Sequence, residues 1–296
     1  MNSSMVYKNK KPLPLFLTPA FIFMILYLYY PFLRNIYNSF MKIRGLGTGA
    51  KGVNEPFYEN YVKLFTDSSM RTAVGNTFIM MGVTIVFQVG IALLLALLVD
   101  NISKGQQFFR TVYFFPIVIS ATALGLMFNL VFLYDTGMLN QLRLSLGASE
   151  LVDFKDEVHA LFTLMVPVVW QYIGFYFVII VTGLNNISAD LYEAAAIDGA
   201  SGIQRVWHIT VPLLHNVLCT CLTLAITGAL KVFDLPWVMF PNGMPVETTW
   251  LTGTYMYFQT FNAKDVDYAS AIAIAIVVLG VVISQLANAI FKEKDY

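Results

Sequence analysis

Two ionisable residues, Lys231 and Asp234, lie inside a long apolar run, and their spacing places them at neighbouring positions on a helix. A charged side chain in hydrocarbon costs about 2.5–3.5 kcal/mol even on insertion scales, so such residues are usually paired or functional. Two interpretations stay open. The residues could form a mutual salt bridge near the outer end of the run, with Lys231 extending toward water, or they could take part in gating.

Further polar side chains interrupt the apolar runs and could contact a transported solute. They are Trp170, Gln171, Tyr172, Tyr176, Asn76, Gln88 and Asn129. Polar groups in apolar helices usually face the interior of a helix bundle, where they bond to another helix as often as to a ligand. Gly174 lies among the aromatic residues and would allow close helix packing.

The sequence lacks the residue patterns of catalysis, metal binding and nucleotide binding. Cys219 and Cys221 are its only cysteines, and the histidines share no motif with carboxylates, so we predict no metal site and no catalytic residues. Residues 47–52 contain glycines and a lysine, but not the G-x-x-x-x-G-K-[ST] spacing of a phosphate-binding loop. The formal net charge of zero, with scattered basic residues, gives no indication of nucleic-acid binding.

The elements that must position these residues are apolar segments long enough to cross a bilayer. The 296 residues are 57% hydrophobic and 12% charged, which is too apolar for one water-soluble core. A spanning helix needs roughly 20 mostly apolar residues. That length predicts six spans, at residues 13–32, 72–99, 108–133, 160–184, 212–235 and 268–291. We therefore predict an all-α fold, a polytopic membrane helix bundle.

The distribution of basic residues favours neither orientation clearly. Lys8, Lys10 and Lys11 precede the first span, but the first loop also carries several lysines and arginines. Because charges beside the first helix usually dominate, we predict that both termini are cytoplasmic. Seven aromatic residues near the span ends are predicted to be interfacial anchors: Tyr27, Tyr29, Tyr30, Trp237, Trp250, Tyr255 and Tyr257.

A polar, alanine-rich stretch separates the fourth and fifth predicted spans. Residues 185–190 contain possible helix N-caps, residues 191–197 favour a helix, and Gly199 permits a sharp turn. A second short helix is predicted over residues 203–209, and Pro212 suits the first turn of the next span. Such a helix–turn–helix could be no more than an interfacial linker, or it could bind a partner.

Specific residues in this stretch favour partner binding. Glu193, Ala194 and Ala195, then Asp198, Gly199 and Ala200, and then Ile209 and Pro212 resemble the EAA loop of binding-protein-dependent ABC importers. Residues 60–67, 109–116, 137–140, 170–171 and 232–239 resemble further blocks of the sugar-importer branch of these permeases, which includes the maltose-transporter-like components. The resemblance implies the type I importer permease fold. Residues 1–70 would form an N-terminal cytoplasmic segment, first span and extracellular loop, and residues 71–296 a core domain with the EAA loop at about 188–211.

The resemblance also implies what this chain works with. It would form half of the translocation path for a sugar or oligosaccharide in a bacterial or archaeal inner membrane. The partners would be a second, different permease, two ATP-binding cassette subunits that use ATP and Mg, and an extracellular sugar-binding protein. The EAA loop would couple this chain to the ATPase, so the chain itself would be no enzyme and hold no cofactor. The alternatives are an ion-coupled secondary transporter and a membrane-embedded enzyme, but we find neither an internal repeat nor a catalytic motif.

Overall fold

The computed structural model describes residues 12–102 and 105–290, and these residues are mostly helical, with no β-strand. The α-helices are α1 Pro12–Met24, α2 Tyr30–Asn38, α3 Glu59–Thr66, α4 Ser68–Val83, α5 Gly90–Asp100, α6 Gln106–Val118, α7 Ala121–Val131, α8 Met138–Ser145, α9 Ala160–Leu184, α10 Ala189–Ile197, α11 Gly202–Arg205, α12 Val211–Leu213, α13 His215–Lys231, α14 Asp234–Met239, α15 Thr252–Phe261 and α16 Val266–Ile290. Three π-helical segments join α1 to α2, α4 to α5 and α11 to α12, at Ile25–Tyr29, Thr84–Val89 and Val206–Thr210. The all-α prediction is confirmed.

Within the described residues, five helical stretches are long and apolar enough to cross a membrane. They are Leu13–Asn38, Ser68–Asp100, Ala160–Leu184, His215–Met239 and Val266–Ala287. Each overlaps a predicted span. The lysines used for the orientation prediction, Lys8, Lys10 and Lys11, lie outside the described residues, as do Lys104, Lys292 and Lys294.

The remaining predicted span, residues 108–133, is wrong as a single helix. The structure has two helices there, α6 and α7, bent by 93°. The first of them, α6, ends where Ile119 adopts an extended backbone. Ser120 caps the start of α7 by accepting a hydrogen bond from the amide of Ala123 at 3.2 Å. Pro116 contributes to the break because it has no N–H to donate to the helix. Six spans result only if this bent pair makes one crossing.

The chain divides into two compact units, and the first comprises Met1–Phe65 with Met256–Ala275. This unit contains a buried carboxylate, Asp265, which is 6% exposed. Asp265 forms an ion pair with Arg44 and accepts a hydrogen bond from Lys63 at 2.9 Å. Burial alone would raise the pKa of Asp265, but hydrogen bonds from Asp267, Arg44 and Lys63 lower it to about 2.

The second unit comprises Thr66–Tyr255 with Ile276–Tyr296 and contains the two main apolar clusters. One cluster packs around Leu164 and Leu230, and the other around Phe177 and Leu214. The helices α6 and α9 approach closely at Gly174, where an added Cβ would lie 1.8 Å from the carbonyl oxygen of Tyr113. The predicted close packing at Gly174 is confirmed.

Two of the predicted interfacial anchors are buried instead. Trp250 is 1% exposed and Tyr255 is 4% exposed, and their rings pack edge to face with centroids 5.3 Å apart. The sequence placed them near a span end, but both side chains are packed inside the second unit. The interfacial-anchor prediction is therefore wrong for Trp250 and Tyr255.

Candidate functional site

The polar stretch after α9 forms a helical hairpin, residues 188–213, as predicted. Ser188 caps α10 by accepting a hydrogen bond from the amide of Asp190. The helix α10 ends at Ile197, and Gly199 just beyond it has a φ of 77°, in the left-handed region that favours glycine. The amides of Ala200 and Gly199 bond to the carbonyls of Ala195 and Ala196 at 2.9 and 3.1 Å, the paired bonds of a Schellman motif.

The second arm of the hairpin begins with a capping box. The amide of Ser201 donates to Oε1 of Gln204 at 2.7 Å, and the amide of Gln204 donates to Oγ of Ser201 at 3.4 Å. The hydroxyls of Tyr192 and Thr210 lie 3.0 Å apart and link the two arms. Hydrogen bonds therefore hold the first arm, the turn and the second arm of the hairpin together.

The hairpin presents large apolar side chains outside the long apolar helices. Ile197 is 86% exposed, Ile203 is 75% exposed and Trp207 is 65% exposed. Glu193 and Asp198 are exposed on the same hairpin. An exposed apolar patch with polar residues around it is typical of a protein–protein interface.

A cavity of about 370 Å³ lies beside the second arm. Its walls include Tyr192, Arg205 and Trp207 from the hairpin, together with Asp100 and Asn101 from the end of the second predicted span. The hairpin therefore leaves a recess of mixed polarity next to its exposed apolar residues.

A second cavity, of about 250 Å³, lies between the helices of the second unit, and we call it the mid-span cavity. Its lining includes Tyr172 and Tyr176 from the middle of α9. Thr84 and Gln88 come from the π-helical segment between α4 and α5, and Lys231 comes from the end of α13. Polar groups from three helices thus surround one space.

The structure assigns other contacts to the remaining predicted path residues. The side-chain amide of Asn76 donates to the carbonyls of Thr248 and Trp250 at 2.7 and 2.9 Å. Gln171 donates to the carbonyl of Ile119 at 3.3 Å, beside the bend between α6 and α7. These two side chains join neighbouring segments, and neither lines the mid-span cavity.

Asn129 and Trp170 also lie away from the mid-span cavity. Asn129 accepts a hydrogen bond from Lys155 at 2.6 Å and donates to the carbonyl of Val238. Burial lowers the pKa of Lys155. Trp170 packs against Phe128 and lines a separate, apolar groove of about 470 Å³.

Lys231 and Asp234 do not occupy neighbouring positions of one helix. The helix α13 ends at Lys231, Val232 has an extended backbone, and α14 begins at Asp234. In the part of the chain that the structure describes, no ion pair joins them. The interpretation of Lys231 and Asp234 as a salt bridge within one helix is therefore wrong.

Thr84 is a cavity residue that the sequence did not indicate, whereas Gln88 was among the polar residues expected to face a solute or another helix. Gln88 is 3% exposed and donates a hydrogen bond to the carbonyl of Val168 at 2.8 Å. A glutamine inside an apolar run is a detectable signal. The π-helical turn that directs both residues to the cavity is not visible in the sequence pattern.

Comparison with known proteins agrees with this architecture. Residues 88–294 match the family model described as "Binding-protein-dependent transport system inner membrane component". The probable ABC transporter permease protein YurN of Bacillus subtilis is 32% identical, over 97% of this chain and 98% of that protein. The sulfoquinovosyl glycerol transport system permease protein SmoG of Agrobacterium fabrum is 30% identical, over 95% and 90%.

A solved structure shares the fold. A chain of a bacterial ABC transporter involved in import of the acidic polysaccharide alginate superposes with a TM-score of 0.83 and 23% identity, covering 96% of each chain. The family match covers more than half of the present sequence, and YurN matches it over nearly its full length. This chain therefore belongs to the family of inner membrane components of binding-protein-dependent transport systems, the permeases of ABC importers.

Proposed function

We propose that this chain is one permease subunit of an ATP-driven carbohydrate importer and that its hairpin couples it to the ATPase. The observation that carries the coupling proposal is the ordered hairpin with exposed Ile197, Ile203 and Trp207. Large exposed apolar side chains on a polar hairpin outside the spanning segments are typical of a surface that a partner protein covers. An ATPase subunit is the partner that an importer of this family requires.

The hairpin residues would have different roles in contacting the ATPase, according to their size and charge. Glu193 is exposed and would meet polar or cationic groups of the ATPase, while the small Ala194 and Ala195 would permit close helix approach. Asp198, Gly199 and Ala200 form the turn. Ile209 and Pro212 lie where the second arm leads toward α13, so movement of the hairpin would reach the membrane helices.

The carbohydrate substrate is supported by the relatives and by the mid-span cavity. SmoG is named for sulfoquinovosyl glycerol, and the permease AraP of Bacillus subtilis, 27% identical over 95% of this chain, is named for arabinooligosaccharides. Tyr172 and Tyr176 offer aromatic faces to a sugar ring, and Gln88 offers an amide. Aromatic stacking with a few convergent polar groups is the usual composition of a small-molecule site.

The partners follow from what one chain leaves exposed or lacks. Residues of Leu13–Asn38 are exposed along the apolar part of the span, and the groove at Trp170 is apolar, so lipid and a second, different permease would cover them. The sequence has no phosphate-binding loop, so two separate subunits would hydrolyse ATP with Mg. An extracellular binding protein would deliver the sugar. Both termini and the hairpin would lie in the cytoplasm, and nothing in the comparisons supports ion-coupled secondary transport.

The test is ATPase activity of the complex purified with its partner subunits, with and without the sugar-loaded binding protein. We expect stimulated hydrolysis only when all subunits are present. Glu193→Lys should insert normally but lose stimulation or association with the ATPase, whereas Glu150→Lys, a charge reversal at another exposed glutamate, should behave as wild type. Sugar transport by this chain alone, or full stimulation of Glu193→Lys, would refute the proposal.

A further inference from the structure

We propose that the transported carbohydrate is acidic and that Lys231 binds its anionic group. This inference rests on the proposed carbohydrate function and adds to it the charge class of the substrate and the residue that selects for that charge. It comes from the composition of the mid-span cavity, where a single formal charge stands among aromatic and amide groups.

The charge of Lys231 is not balanced inside the cavity. The twelve lining residues include no aspartate and no glutamate. The nearest carboxylate in sequence, Asp234, begins a different helix, and among the described residues Lys231 has no ion-pair partner. An ammonium group without a carboxylate gives the cavity a net positive charge and attracts an anion.

The charged side chain of Lys231 is energetically unfavourable at this position unless it binds a ligand or a partner. A lysine within a membrane segment is unfavourable, and such residues usually line a substrate or ion pathway. The C-terminal end of α13 offsets part of this cost, because the helix dipole is negative there. That effect makes the lysine tolerable without occupying its ammonium group, which therefore stays available for a ligand.

The other cavity groups fit a sugar ring beside that charge. Tyr172 is 39% exposed, so its ring is accessible for stacking. Gln88 uses an amide hydrogen to bond Val168, which leaves its carbonyl oxygen to accept from a sugar hydroxyl. At Gly228 an added Cβ would meet no atom within 4 Å, so the wall there leaves open space. A ring with hydroxyls and one anionic substituent satisfies all of these groups together.

Two other uses of Lys231 predict different behaviour. As a donor to sugar hydroxyls, it would favour neutral and acidic sugars equally. As an ion-pair partner of the second permease, it would affect assembly of the complex and not the choice of sugar. The charge of the substrate therefore distinguishes the three possibilities.

The experiment measures equilibrium binding of two saccharides to the complete membrane complex in nanodiscs, held with a non-hydrolysable ATP analogue. The binding protein is left out so that its own selectivity does not enter. The probes are an α-1,4-linked galacturonate trimer and the galactose trimer of the same linkage, which differ only in the carboxylates. The variants are Lys231→Gln, Lys231→Arg and, as a control, Lys51→Gln at an exposed loop lysine.

We expect the galacturonate trimer to bind wild type at least about tenfold more tightly than the galactose trimer, and this preference to weaken at high salt. Lys231→Gln should abolish the preference, whereas Lys231→Arg and Lys51→Gln should keep it. Equal binding of both trimers, a preference that survives Lys231→Gln, or a loss of assembly with unchanged selectivity would overturn the inference and leave the carbohydrate function standing. Binding of neither trimer would overturn both.

Discussion

The turn of the hairpin provides the sharpest prediction, because Gly199 can be tested without changing any contact. Its φ is 77°, and a Cβ added there would meet no atom within 4 Å. The cost of a substitution is therefore backbone strain alone. That cost is about 1–2 kcal/mol for an ordinary L-residue, is smaller for asparagine, and is largest for a β-branched residue.

These costs predict an order of activity. Since each 1.4 kcal/mol changes an equilibrium tenfold, Gly199→Ala should shift the hairpin away from its turn by about 5- to 30-fold. Gly199→Asn should be close to wild type, and Gly199→Val should be the most impaired. The assay is ATPase stimulation by the sugar-loaded binding protein, together with co-purification of the ATPase subunit.

Gly202 provides the matched control, three positions further along the same hairpin. It begins α11 without a left-handed φ, and an added Cβ would also meet no atom within 4 Å. The complex that carries Gly202→Ala should therefore show the same ATPase stimulation as wild type. If Gly199→Val were fully stimulated, or if Gly202→Ala were as damaging as Gly199→Ala, the turn geometry would not matter for coupling.

Three further predictions concern packing, hydrogen bonding and pH. Gly174→Ala should lower the melting temperature of the complex or prevent its assembly, because a Cβ 1.8 Å from a backbone carbonyl oxygen requires two helices to separate. Gly82→Ala, which has open space at its Cβ, should leave the melting temperature unchanged. Equal melting temperatures of the two variants would contradict this reasoning. Asn76→Leu should cost about 1–3 kcal/mol of stability by removing the hydrogen bonds to the carbonyls of Thr248 and Trp250, and it should leave the saccharide preference unchanged. A changed preference would return Asn76 to the substrate path. The pKa of Asp265, about 2, lies below the ordinary value of about 3.9 for an aspartate. The stabilisation that Asp265 gives to the loop at Arg44 should therefore be complete above pH 4 and be lost as the pH falls toward 2. Hydrogen exchange of residues 42–52 should show this loss in wild type and not in Asp265→Asn.

The sequence was sufficient for features that depend on local interactions. The first helix and the turn of the hairpin followed from the possible N-caps in residues 185–190 and from Gly199, because a cap or a turn is determined by side chains within a few residues. The five spanning stretches followed from apolar length alone, although the structure interrupts one of them at Val232. Helices of that kind need no information about their neighbours to be recognised.

Features that depend on partners in space could not be read in the same way. The polarity of Asn76 and Asn129 indicated that each side chain needs a hydrogen-bond partner, but not which backbone carbonyl that partner is. Likewise, three residues of spacing predict proximity for Lys231 and Asp234 only if the helix continues, and an extended residue, Val232, interrupts it. Periodicity arguments fail at such a break because they assume the geometry that the break removes.

The two candidate sites lie at opposite ends of one nearly continuous helical path. From Gly202 to Lys231 the chain is helical almost without interruption, through the π-helical segment Val206–Thr210 and α12 into α13. One end of this path carries the exposed Ile203 and Trp207, and the other end carries Gly228 and Lys231 of the mid-span cavity. Coupling requires that ATP and substrate bias the same two states of the protein. A single helical path that ends at both sites is an element on which both ligands can act, so a displacement of the hairpin by the ATPase would move one wall of the cavity directly.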